Sequence, residues 1–88
     1  MPYELLVHRE ARKVLLELPG EIYRRIYRHL SKLKQQPRLR QAAKLKGRED
    51  LWRLRVGRYR VIYQIDDLKQ VVTVLHVRLR NERTYRAP

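Results

Sequence analysis

Four arginines, Arg53, Arg55, Arg58 and Arg60, crowd around a Gly57-Arg58 dipeptide. A guanidinium is a planar fork of N–H donors that stays protonated and can grip two oxygens of one phosphate. Several on one surface could hold a phosphodiester and steady negative charge that grows on it. Downstream, Arg78, Arg80, Arg83 and Arg86 surround Tyr85. A ring among arginines suits stacking on an unpaired base, although a tail tyrosine packing back on the sheet has the same spacing. His8, His29 and His76 show no metal-ligand spacing, and no Glu-x-x-His pattern occurs. No glycine-rich phosphate loop is present, which argues against nucleotide hydrolysis.

The elements that must carry these groups follow from periodicity. Residues 3–8 read as a first strand. Ala11, Val14, Leu15 and Leu18 fall on one helical face, and Ile22, Ile26, Leu30 and Leu33 form a second stripe with Arg24, Arg25, Arg28 and Lys32 off it. Pro19-Gly20 separates the two helices and Pro37 closes the second, giving an αα-hairpin. Tyr23 and Tyr27 flank the second stripe, free to pack or to meet a partner. Residues 38–47 lack a period and end in Lys44-Leu45-Lys46-Gly47, which predicts a basic loop.

Beyond that loop the period changes to two, and residues 51–65 read as a β-hairpin about Gly57-Arg58. Such a turn pairs Val56 with Tyr59, Leu54 with Val61 and Trp52 with Tyr63, an apolar face that covers the helices. The opposite face then carries Arg53, Arg55, Arg60, Ile62 and Gln64, with Arg55 directly across from Arg60. Opposed like charges are destabilising by about 0.2–1 kcal/mol, so stability alone would not select them. The bland alternative is a solvated face on which arginines outnumber lysines. Residues 71–77 form a third β-rich run, in which a histidine at position 76 is expected to pack within the sheet. The expected fold class is α+β: an N-terminal strand, a two-helix hairpin, then a three-stranded antiparallel meander, with the helices on one face of a single sheet.

Bulk properties agree. The chain has 88 residues, enough for one domain spanning 1–88. Lys and Arg number 22 against nine Asp and Glu, a net charge of +13, which points to a polyanionic partner. The basic density is local: residues 38–60 hold nine Lys or Arg against Glu49 and Asp50. A hydrophobic share of 43% suffices for a packed core and argues against disorder. The absence of cysteine excludes disulfides and Cys-ligated metals. Apolar runs such as 71–75 are far shorter than the roughly 18 residues of a membrane span. Arg9 and Glu10 interrupt any signal-peptide pattern, so a cytoplasmic protein with no membrane contact is expected.

The stretch 44–47 followed by 51–67, with Leu54-Arg55-Val56-Gly57-Arg58-Tyr59-Arg60 at its centre, resembles the core signature of the RelE family of toxins, within the RelE/ParE superfamily. The upstream helical hairpin is similar too, so the resemblance covers nearly the whole chain. It implies a small α+β toxin of a type II toxin–antitoxin system. Such a toxin enters the ribosomal A site and cuts mRNA without a metal or cofactor, by attack of the 2′-hydroxyl on the adjacent phosphate. It implies an acidic RelB-like antitoxin as partner beside mRNA and ribosomal RNA, and allows a heterotetrameric toxin–antitoxin complex. Residue by residue, Arg60 matches a phosphate and transition-state clamp, Arg80 a general acid or charge stabiliser, and Tyr85 a base-stacking tyrosine. Arg53 and Arg55 stand where relatives have two lysines, one a proposed general base. Lys44, Lys46, Arg48, Arg58, Arg78 and Arg83 are the expected RNA and ribosome contacts.

The sequence departs from that pattern in chemistry. Arginine is a poor base, since its pKa exceeds ~12. Arg53 and Arg55 can stabilise charge, but the proton acceptor stays open among Lys44, Lys46, His76, Glu82 and the ribosome. Residues 77–80 replace a glycine-histidine-arginine run seen in relatives. Two other readings stand beside the nuclease: a ParE-like gyrase poison, and a non-catalytic RNA- or protein-binding module of the same fold.

Overall fold

A computed structural model describes residues 2–47 and 50–79. Its element order is β1 (Glu4–Val7), α1 (Arg9–Leu16), α2 (Gly20–Leu33), β2 (Ala42–Lys44), β3 (Leu51–Val56), β4 (Tyr59–Asp66) and β5 (Val71–Leu79). Among the described residues the strands form one sheet in the order β1-β5-β4-β3-β2. The β1–β5 pair is parallel and the others are antiparallel. The expected α+β architecture is present, with two additions. The predicted basic loop is partly a short edge strand, because β2 pairs with β3, and the N-terminal strand closes the far side of the sheet.

The helices form where their stripes predicted. His8 caps α1, its Nδ1 accepting from the Glu10 N–H at 3.2 Å. Pro19 stands at the N-cap of α2 in an extended conformation, where a missing N–H costs nothing. That helix ends at Leu33, a turn before Pro37. Ala11, Leu15, Ile26, Leu30 and Leu33 pack with Leu54, Val56, Val61, Tyr63, Ile65, Val72, Val74 and Val77 into one buried cluster. All the sheet residues in that cluster lie on the helix side, so among the described residues the opposite face has no covering layer.

The hairpin register is the predicted one: Val56 opposes Tyr59, Leu54 opposes Val61, Trp52 opposes Tyr63 and Arg55 opposes Arg60. Gly57 has φ +59° and Arg58 is not among the positive-φ residues, the pattern of a type II′ turn that follows the right-handed strand twist. A side chain at Gly57 would be strained by that φ, and its Cβ would lie 3.3 Å from a guanidinium nitrogen of Arg25. Gly57→Val is therefore expected to lower unfolding free energy by about 1–3 kcal/mol, read as a reduced urea midpoint. A midpoint equal to the parent's would contradict the turn assignment.

One irregularity decides which side chains reach the open face. Ile62 opposes His76 but Tyr63 opposes Val74, so Leu75 is an extra residue in β5, a β-bulge. Strict alternation from Val72 and Val74 would have sent His76 and Arg78 to the helix side. The bulge turns them outward instead and gives the inward position to Val77, which is buried. The expectation that His76 packs within the sheet is corrected accordingly: it is exposed.

Candidate nucleic-acid interface

Directly paired residues share a sheet face, so the register assembles the open surface. Arg55, Arg60 and Arg78 form one row across β3, β4 and β5. The next row holds Ala43, Arg53, Ile62 and His76. Cross-strand neighbours place their Cβ atoms about 4.5–5.5 Å apart, so the three arginine side chains leave the sheet within about 10 Å of one another. Arg60, at the centre, is half-buried, while Arg55 and Arg78 are exposed. Among the described residues none of Arg53, Arg55 and Arg78 is ion-paired. Two successive like-charge pairs in one row are a cost to folding, and a polyanion laid across the row would remove it.

The other expected site residues separate into three groups. Lys44 opposes Trp52, so the register puts it on the helix side of β2, away from the arginine row. Lys46 is exposed in the turn beyond it, at the Leu51 end of β3, and Arg58 is exposed at the hairpin tip. Arg48, Arg80, Arg83 and Tyr85 lie outside the described residues, as does Glu82. Arg78, expected as a contact in the basic tail, instead stands in β5 opposite Arg60. The spacing of Val72, Val74 and Val77 was the signal for this, because three buried valines cannot share a face without one added residue.

A polar clasp holds the Asp66 end of the sheet, remote from the row. Arg38 donates to both carboxylate oxygens of Asp67, at 3.1 and 2.7 Å, and Tyr3 Oη donates to the same carboxylate at 2.6 Å. The Arg38 guanidinium carbon also lies 5.6 Å from the Trp52 ring centroid. The Arg38 hydrogen bonds first, and that from Tyr3 second, hold the Asp67 carboxyl down to about 2. A carboxyl depressed in the folded state stabilises it above the ordinary carboxylate value, and that contribution fades as pH falls through the folded value. The difference in denaturant midpoint between the parent and Asp67→Asn should thus be constant near neutrality and shrink between about pH 4 and pH 2. A difference that did not change over that window would contradict the clasp.

No helix among the described residues is long and apolar enough to cross a membrane. The fold is that of the RelE and ParE toxins. The chain superimposes on RelE in the archaeal RelE–RelB complex of Pyrococcus horikoshii with a TM-score of 0.83 and 34% identity, over 92% of this chain and 98% of that one. The RelBE2 toxin–antitoxin complex of Mycobacterium tuberculosis gives 0.79 and 30%, over 91% and 100%. The isolated E. coli RelE toxin gives 0.81 and 26%, over 96% and 97%. No curated protein matches the chain in sequence. The family model for the ParE toxin of type II toxin–antitoxin systems matches residues 5–84, and the chain belongs to that family.

Proposed function

We propose that this toxin is a ribosome-dependent endoribonuclease that cuts mRNA in the A site and stops translation. The observation that carries the reading is the cross-strand row Arg55, Arg60 and Arg78 on the sheet face that the helices leave bare. A phosphodiester lying across the row would meet guanidinium forks from three strands at once. As the 2′-oxygen attacks the adjacent phosphorus, the extra negative charge falls on the non-bridging oxygens, where rigid cations lower the barrier most. Arg60 clamps that phosphate, with Arg55, Arg78 and Arg53 around it. Arg80 adds charge stabilisation and Tyr85 stacks on a base, roles carried over from the resemblance. Arg58, at the hairpin tip, reaches the RNA backbone or ribosomal RNA. The RelE relatives in the P. horikoshii and M. tuberculosis structures are in complex with antitoxins. A net charge of +13 suits an acidic antitoxin of the same kind here.

The ParE family match favours a second reading, in which the charge serves contact with gyrase or DNA. Controlled expression in cells separates the two. Transcripts cut at in-frame positions, with an intact chromosome, are the expected outcome. Chromosome breaks with full-length transcripts would replace the nuclease reading with gyrase poisoning.

A further inference from the structure

Two of the three histidines have tasks in the fold. His8 caps α1, and His29 Nδ1 lies 2.9 Å from the Arg25 carbonyl one turn back in α2. His76 has no such task. It is exposed on the open face and, among the described residues, makes no side-chain hydrogen bond or ion pair. It reaches that face only through the bulge at Leu75. Bulges commonly re-aim a side chain beside a functional site.

Its surroundings are defined by register. His76 opposes Ile62 and stands diagonally from Arg60, about 7–8 Å away between backbones. Arg78 is two residues further along β5, and Arg53 lies in the His76 row two strands away on β3. The carboxylates on this face are Glu4 and Asp66, which both align with Val71 at the far end of the sheet, and Asp50, which accepts from Gln64 Nε2 at 2.6 Å, with Gln64 four residues along β4 from Arg60. The arginines can hold a phosphate but cannot accept a proton. Lys44 is on the other face, and Lys46 lies at the Leu51 end of β3, four residues from Arg55 or about 13 Å of strand. Of the described residues that could take a proton, His76 is the one beside the row.

We infer that His76 is the general base of this site, an assignment that rests on the nuclease reading. Its imidazole takes the proton of the 2′-hydroxyl as the 2′-oxygen forms a bond to the adjacent phosphorus. The bond from phosphorus to the 5′-oxygen breaks, leaving a 2′,3′-cyclic phosphate. The departing 5′-oxygen takes a proton from water, and the hydroxide so formed recovers the proton held by the imidazolium. No net proton, oxidant or further reactant is consumed.

The test is single-turnover cleavage of end-labelled mRNA on programmed ribosomes by the parent, His76→Gln, His76→Ala and, as a control, Arg60→Ala. The inference expects His76→Gln to cut about 10²-fold more slowly, with the protein's melting temperature and ribosome affinity unchanged. It expects the acid limb of the parent's pH–rate profile to disappear in His76→Gln. Added imidazole should restore part of the rate of His76→Ala and none of that of Arg60→Ala. A His76→Gln rate within threefold of the parent overturns the inference and leaves the nuclease reading standing. So does a loss that imidazole does not rescue and that leaves the profile's shape unchanged. A parent that does not cut at all overturns the nuclease reading itself, and the assignment with it.

Discussion

Arg60→Ala is expected to slow mRNA cleavage by about 10²–10³-fold, the usual effect of removing one preorganised donor from a developing oxyanion. Arg60 is the middle member of the row and the half-buried one, flanked by the exposed Arg55 and Arg78. Arg60→Lys should recover little, because an ammonium is a point charge and cannot reproduce two parallel N–H donors. The outer member separates function from folding. Arg78→Thr removes one of the two opposed like-charge pairs, so its stability should hold or rise by about 0.2–1 kcal/mol while cleavage falls at least tenfold. Urea unfolding and single-turnover cleavage on the same preparations measure both. Loss of activity in parallel with loss of stability would mean that the row serves the fold.

The largest stability effect is expected at Tyr63. Its side chain is fully buried in β4, the central strand, and its hydroxyl donates to the Pro37 carbonyl at 2.7 Å. Burial pushes the phenol up to about 12, so the hydroxyl remains a donor throughout the working pH range. Tyr63→Ala leaves a ring-sized cavity and an unpaired carbonyl, an expected cost of about 3–5 kcal/mol. A domain of this size has about 5–15 kcal/mol in all, so this variant sits near the edge of unfolding at ordinary temperature. Tyr63→Phe keeps the ring and loses only the hydrogen bond, for about 1–3 kcal/mol. Equal costs for the two variants, read from urea midpoints, would show that ring packing contributes little.

What could be read from the sequence was local. The two helical stripes and the four hairpin pairs follow from periods of 3.6 and 2 with a glycine at the turn, all within a few neighbouring residues. The face that gathers Arg53, Arg55 and Arg60 follows from the same alternation. Three features escaped because their causes are not local. Ala42–Lys44 is a strand only because β3 offers it an edge. The parallel pairing of β1 with β5 joins segments from opposite ends of the chain. The bulge at Leu75 depends on Val77 being drawn into the core beside Val72 and Val74, and it reverses the side on which His76 and Arg78 emerge. The arginine pair was thus legible, but the third arginine and the histidine beside it were not.

The row's function is tested most directly by giving purified toxin to ribosomes carrying a single 5′-labelled mRNA and mapping the product ends. The account predicts one cut within the A-site codon, a 2′,3′-cyclic phosphate on the upstream fragment, and no cut when Arg55, Arg60 and Arg78 are all replaced by glutamine. An mRNA left whole by the parent protein, or one cut equally well by the triple variant, would contradict it.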